Sequence, residues 1–274
     1  MFDMTVMQAL WPHGDAKVPG VMEGIVDAAA TVFAKYGMAS DRVVAHAMAQ
    51  FSHECGAGGE MEENLNYSAQ GLINTWPSRF DAAKAAQFAR QPRLIANEVY
   101  NGRMKNLPGS DDGWNFRGRG ASQVTGREGY EKLGARVGID LIANPDLVND
   151  PAHFLECGVA DFVICGCLPF AEQDDVKGVT YHLNGGYIGL DQRTAWLAKW
   201  KAALGGQAPE DRGTAWLQNA LNRLGEEPPL VADGSYGPMT VAAVKAFQAA
   251  HGLEADGRFG PATQAAIEAA LAAL

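Results

Sequence analysis

Two carboxyl side chains, Glu54 and Glu63, have the type and placement to work as a pair. Glu54 closes an apolar-periodic stretch, and Glu63 stands beyond the glycine-rich run Gly56-Ala57-Gly58-Gly59. Two acids facing each other across a bond can split it with water. One, protonated, donates to the leaving oxygen, while the other, ionised, activates the water. For a glycosidic bond cut with inversion, the gap between them is roughly 6.5–9.5 Å. A rigid helix bearing one acid and a loop bearing the other suits such a gap. Spacing alone leaves two solvated loop acids as the commoner reading. Glu62 is read as solvated, and His53 as a support for the fold, because neighbours along a helix face different ways.

The elements that must hold this pair are helical. Residues 21–36 carry apolar side chains at helical spacing and stop at Gly37, a suitable residue after a helix end. Ser40 caps a second helix whose apolar stripe runs Val43, Val44, Ala47, Met48 and Phe51. Glu54 falls on or beside that buried face, where apolar neighbours favour the protonated form a proton donor needs. Further helices are expected at 69–75, 81–89, 92–100, 127–137, 151–165 and 190–204. Strand signals are sparse, with 121–125 as a candidate small hairpin beside the cleft. The first part of the chain therefore reads as mainly α with a minor β element.

Composition narrows the class. The 274 residues are 47% hydrophobic and 20% charged, enough for a large globular core. A formal net charge of −10 argues against nucleic acid as a partner, since that rewards clustered Lys and Arg. No apolar run reaches the ~18 residues of a membrane span, and no signal-peptide pattern opens the chain. Synthesis in the cytoplasm, no membrane insertion and a monomeric state are the expectations. Cys55, Cys157, Cys165 and Cys167 are too few and too clustered for a disulfide scaffold, and burial as free thiols suits them better than metal binding. No cofactor or metal is expected.

Turn formers at 205–211 read as a linker, giving domains at 1–204 and 212–274. Within the second, Asp233-Gly234-Ser235-Tyr236-Gly237-Pro238-Met239-Thr240 is echoed by Asp256-Gly257-Arg258-Phe259-Gly260-Pro261-Ala262-Thr263. Each copy sets Asp-Gly at a turn and Gly-Pro at a helix start. With a helix at 216–224 ahead of them, the copies make a compact three-helix module. So short a unit is rarely an enzyme by itself.

The pattern Trp216-Leu217-Gln218, Asp233-Gly234, Gly237-Pro238, Phe247-Gln248, Asp256-Gly257 resembles the peptidoglycan-binding domain of bacterial and phage wall hydrolases. The first domain resembles glycoside hydrolase family 19 in its phage endolysin branch. The matching residues are His53-Glu54, Glu63-Asn64-Leu65-Asn66-Tyr67-Ser68-Ala69, the run from Gly118 to Gly126, Asn184-Gly185-Gly186 and Arg193. That resemblance implies a lysozyme-like α-helical fold, with Glu54 as general acid and Glu63 as general base. It implies that Thr125 holds the attacking water, and that Tyr67, Gln123, Tyr130, Asn184 and Arg193 line the sugar cleft. In this reading Arg193 also keeps Glu63 ionised while Glu54 stays protonated. Gln123 has the alternative of capping backbone groups. Cys55 and Gly129 depart from the usual residues at their positions.

The function these features imply is an inverting endolysin that cuts the β-1,4 bonds of peptidoglycan strands, reaching the wall through a holin-made hole. Chitin is the alternative polymer, since both carry N-acetylglucosamine. A peptidase or amidase using Cys55 or zinc is a second class, and a non-catalytic wall-binding protein a third.

Overall fold

The computed structural model describes residues 2–38, 40–204, 214–253, 255–257, 259 and 261–272. The chain divides into two compact units, Met1–Gly205 and Gly206–Leu274. The linker expected at 205–211 lies outside the described residues.

The first unit is built almost wholly from helices. Val21–Lys35 and Asp41–Glu54 form where the apolar spacing places them, and the Ser40 hydroxyl accepts from the Val43 amide at 3.3 Å as the second helix begins. Ala69–Thr75, Pro92–Tyr100 and Arg127–Val137 match their expected bounds. Phe154–Ile164 starts later than expected, because 151–153 are turn residues ahead of the first helical turn. Four helices were not anticipated: Met4–Leu10, Asp112–Asn115, Leu168–Glu172 and Val176–Asn184. Most are too short to show a period. In place of a hairpin at 121–125 there are two isolated antiparallel bridges, Glu62 with Arg119 and Arg119 with Val124. Among the described residues, no helix is long and apolar enough to cross a membrane.

Two hydrophobic clusters lie inside this unit. The larger gathers Trp11, Phe33, Phe51, Phe154, Phe162 and Trp200, all essentially inaccessible. The smaller, around Leu72, Phe80, Ile95 and Val99, belongs to residues 65–100. Burying aromatic rings brings a second demand, because an indole N–H taken from water needs an acceptor. Trp11 and Trp200 meet it together, each donating Nε1–H to Ser52 Oγ at 2.8 Å. Ser52 donates in turn to the Met48 carbonyl at 2.7 Å. Two elements distant in sequence are thus fixed to the last turn of the Asp41–Glu54 helix.

The second unit holds helices Thr214–Arg223, Pro238–Ala250 and Pro261–Ala272 around Leu217, Leu221, Val244, Phe247 and Ile267. Its sequence repeat has a physical basis. Gln218 donates Nε2–H to Asp233 Oδ1 and Thr240 Oγ1, and its Oε1 accepts from the Gly234 amide. Gln248 repeats those bonds with Asp256, Thr263 and Gly257. One buried glutamine therefore locks each Asp-Gly turn to the start of the next helix.

Candidate active site

Glu54 is the last residue of its helix, and the chain turns at once through Gly56–Gly58. Gly58 has φ +86°, and a Cβ there would lie 2.3 Å from the Gly14 carbonyl oxygen. Only glycine allows this close backbone approach, which seats the 11–18 segment against the loop between the two acids. The chain then runs to Glu63, whose amide donates to the Gly118 carbonyl at 2.9 Å.

Glu54 and Glu63 line one cleft of about 840 Å³, together with Lys17, Tyr67, Tyr100, Gln123, Thr125 and Asn149. The Glu54 carboxylate is 16% exposed, and its Oε1 accepts from Arg193 Nη2 at 2.6 Å. Arg193 is buried and is held by two further acceptors, the Gln50 side-chain oxygen and the Ile188 carbonyl. The Ile188 segment reaches the site from the other side too, with Gly189 lying over the His53 ring. Burial, and then the nearby Arg193 charge, hold the His53 imidazole below its ordinary value, so it is a neutral support for the helix end.

Glu63 has a different neighbour. Its Oε1 accepts from the Tyr100 hydroxyl at 2.6 Å, and its Oε2 lies 3.5 Å from the Gly118 amide. Burial and the Glu63 charge push the Tyr100 phenol above its ordinary value, and the same two causes act more weakly on Tyr67. Both stay protonated near neutrality. Gly118 is the floor of this corner, since a Cβ there would meet Gln123 Oε1, Glu63 Cβ and Thr125 Oγ1 at 3.2–3.4 Å. The Thr125 hydroxyl donates to the Gln123 carbonyl at 3.0 Å, which leaves its lone pairs to accept from a water. Gln123 Nε2 is spent on the carbonyls of Glu60 and Gly120, so the capping role is real and only Oε1 remains for a sugar.

Four expectations need correction. Arg193 bonds to Glu54, not Glu63, so it cannot serve to keep Glu63 ionised; a guanidinium stabilises the anion it touches. Tyr130 is fully buried, donates to the Arg117 carbonyl at 2.9 Å and packs on Phe116, so it supports the fold and touches no sugar. Asn184 is exposed at the end of the Val176–Asn184 helix and is not among the cleft-lining residues. Glu62 is not simply solvated, because it pairs with Arg117 and lies 3.5 Å from Arg119, two buried cations. Arg119 Nε makes no hydrogen bond at that distance, so its compensation comes from charge alone.

Reading the sequence missed Tyr100, Asn149 and Asp161. Tyr100 ends a helix and passes for a core aromatic. Asn149 accepts from the Gly120 amide at 3.1 Å and donates to the Met61 carbonyl at 3.2 Å, bracing the cleft wall. Burial pushes the Asp161 carboxyl up, against hydrogen bonds from Ser122 and Cys165, and the charge of Glu54 raises it further. Cys55 is buried, donates to the Phe51 carbonyl, and has its thiol pushed up to about 12 by desolvation. A thiol so placed is no nucleophile, which removes the cysteine peptidase reading. All four cysteines are free thiols.

Comparison with known proteins bears on the family and the fold. Residues 211–267 match the family described as "Putative peptidoglycan binding domain". The chain is 36% identical over 178 residues to a glycosyl hydrolase family 19 domain-containing protein of Haemophilus influenzae, a match that covers 64% of this chain and 86% of that relative. Among solved structures it is similar to a mutant of chitinase C, at 16% identity and TM-score 0.50, over 75% of this chain and 93% of that one. Chitinase C from Streptomyces griseus gives 19% identity and TM-score 0.49, over 74% of this chain and 92% of that one. The chitinase C mutant speaks for the fold alone. The chain belongs to glycoside hydrolase family 19, is a glycosidase, and carries a peptidoglycan-binding domain at its C-terminal end.

Proposed function

We propose that this glycosidase cuts the β-1,4 bonds of bacterial peptidoglycan by a single inverting displacement, with residues 1–204 doing the chemistry and 212–274 docking the wall. The observation that carries the reading is the shared cleft of Glu54 and Glu63, each with one oxygen already committed to a different donor. With Oε1 held by Arg193, Glu54 takes up a proton on Oε2 as the sugar displaces water from the cleft, and delivers it to the leaving group. Glu63, its Oε1 fixed by Tyr100, uses Oε2 to take a proton from water on the opposite face of the sugar. Thr125 accepts the second hydrogen bond of that water. No covalent bond to the enzyme forms, and the new reducing end appears with inverted configuration.

Pairing a glycosidase unit with a wall-binding unit supports peptidoglycan as the polymer and host lysis, as an endolysin, as its setting. A chitin-like polymer has one observation in its favour. Of the acids lining the cleft, Glu54 is paired with Arg193 and Glu62 with Arg117, which leaves Glu60 and Glu63 beside Lys17 and suits an uncharged strand. Mass spectrometry of products from purified walls and from chitin decides between them. Disaccharide-peptides with new reducing ends from walls support the proposal, and release from chitin alone overturns it.

A further inference from the structure

A second pocket, of about 490 Å³, opens beside the cleft and shares Val18 and Asn149 with it. Its surface is mainly apolar, made by Val18, Ala143, Pro145, Leu147 and Pro151, with Asp146 and Asp150 among its polar residues. Lys17, adjacent to Val18, is exposed and is the one cation lining the cleft among the described residues. The site is already formed. The Val18 carbonyl accepts from the Val21 amide at 3.3 Å, and Asp15 accepts from the Met22 amide at 2.9 Å. Asn149, with its amide oxygen and nitrogen each bonded to backbone, is a fixed wall between the two pockets.

Each sugar of an unstemmed strand offers a side pocket only a short acetamido group. Wall glycan offers more. Alternate sugars carry a lactyl ether, from which a peptide begins with alanine and continues with an acidic residue. The root of that branch offers two methyl groups, and the next residue offers a carboxylate. Apolar walls match the first, and the Lys17 ammonium matches the second.

We propose that the pocket behind Val18 and Asn149, with Lys17 at its mouth, receives the lactyl-alanine root of a peptide stem and so selects branched wall glycan. The inference rests on the peptidoglycan reading above and adds the group that distinguishes this polymer from chitin. Recognition there is uniform binding, made equally in the ground state and the transition state, so its loss raises KM and leaves kcat alone.

The test uses the full chain and two soluble substrates from one wall preparation: stem-bearing glycan fragments, and the same fragments stripped of stems by an amidase. Ala143 is exposed, so Ala143→Trp fills the pocket from the surface, and an unchanged melting temperature shows that the fold is kept. Its KM for stem-bearing fragments is expected to rise about tenfold, with kcat/KM on stripped fragments within about twofold of wild type. Lys17→Met is expected to cost roughly three- to fivefold on stem-bearing fragments, an effect that shrinks in wild-type comparison as salt is raised. Equal losses on both substrates, or wild-type KM from both variants on stem-bearing fragments, overturn the proposal. Wild type cutting stripped but not stem-bearing glycan also overturns it. If wild type cuts neither, the peptidoglycan reading itself fails, a result seen before any variant is compared.

Discussion

Replacing Tyr100 with phenylalanine removes one hydroxyl from the site and leaves the ring that packs on the smaller core. The lost contact is the 2.6 Å bond to Glu63 Oε1. What remains on that carboxylate is the Gly118 amide at 3.5 Å from the other oxygen, too long to fix its orientation. A hydrogen bond to a charged group contributes about 1.5–3 kcal/mol. If the bond serves to aim the base at water, that energy is lost mainly in the transition state, and kcat falls by roughly 10- to 150-fold. KM should move little. The assay is steady-state release of reducing ends by wild type, Tyr100→Phe and Tyr67→Phe. Tyr67 lines the same cleft without a hydrogen bond to Glu63, so its variant controls for general disturbance of the aromatic wall. A Tyr100→Phe enzyme with wild-type kcat, or with the same loss as Tyr67→Phe, refutes the reasoning.

Other perturbations read other parts of the account. Ser52→Ala leaves two buried indole N–H groups without an acceptor, which should cost about 2–5 kcal/mol by denaturant unfolding at one or more kcal/mol per unpaired group. Glu62→Gln withdraws the charge facing Arg117 and Arg119. Its carboxylate is 43% exposed, so the penalty is about 1–2 kcal/mol, accompanied by lower activity as the Glu63 segment loosens. Stability should also fall in acid from below about pH 6.5, the ordinary His value. Burial holds the His46 imidazole below that value, so the unfolded chain binds more protons than the folded one as pH drops through this window. His46→Gln should flatten the slope of melting temperature against pH there. Asp174, its partner, is desolvated yet held at about 2 by His46 and Lys201, so its contribution is lost only at much lower pH.

The helical scaffold was legible because its signals are local. The Ser40 cap, the stripe from Val43 to Phe51 and the Gly37 left-handed stop each act within one or two turns. That Glu54 and Glu63 share one cleft was expected from type, spacing and resemblance. What joins them to the rest was not. Tyr100 reaches Glu63 across 37 positions, and nothing in a helix that ends in an aromatic residue announces a hydroxyl aimed outward. Tyr130 misled in the opposite sense. It follows the Gly118–Gly126 run closely, yet the helix that begins at Arg127 turns its ring inward onto Phe116. Arg193 was identified as a site residue, but which acid it would touch depends on how its helix crosses Asp41–Glu54. The glutamine locks of the second unit escaped for a similar reason. Gln218 and Gln248 stand at different distances, 15 and 8 positions, before their Asp partners, so no fixed offset reveals them.

The central claim is that Glu63 acts on water and never on the sugar, while Glu54 supplies the proton. The configuration of the first-formed reducing end, followed by proton NMR before mutarotation, tests it most directly. The account predicts the α anomer from a β-linked strand. A β anomer as first product means that a carboxylate attacked the sugar, and contradicts it.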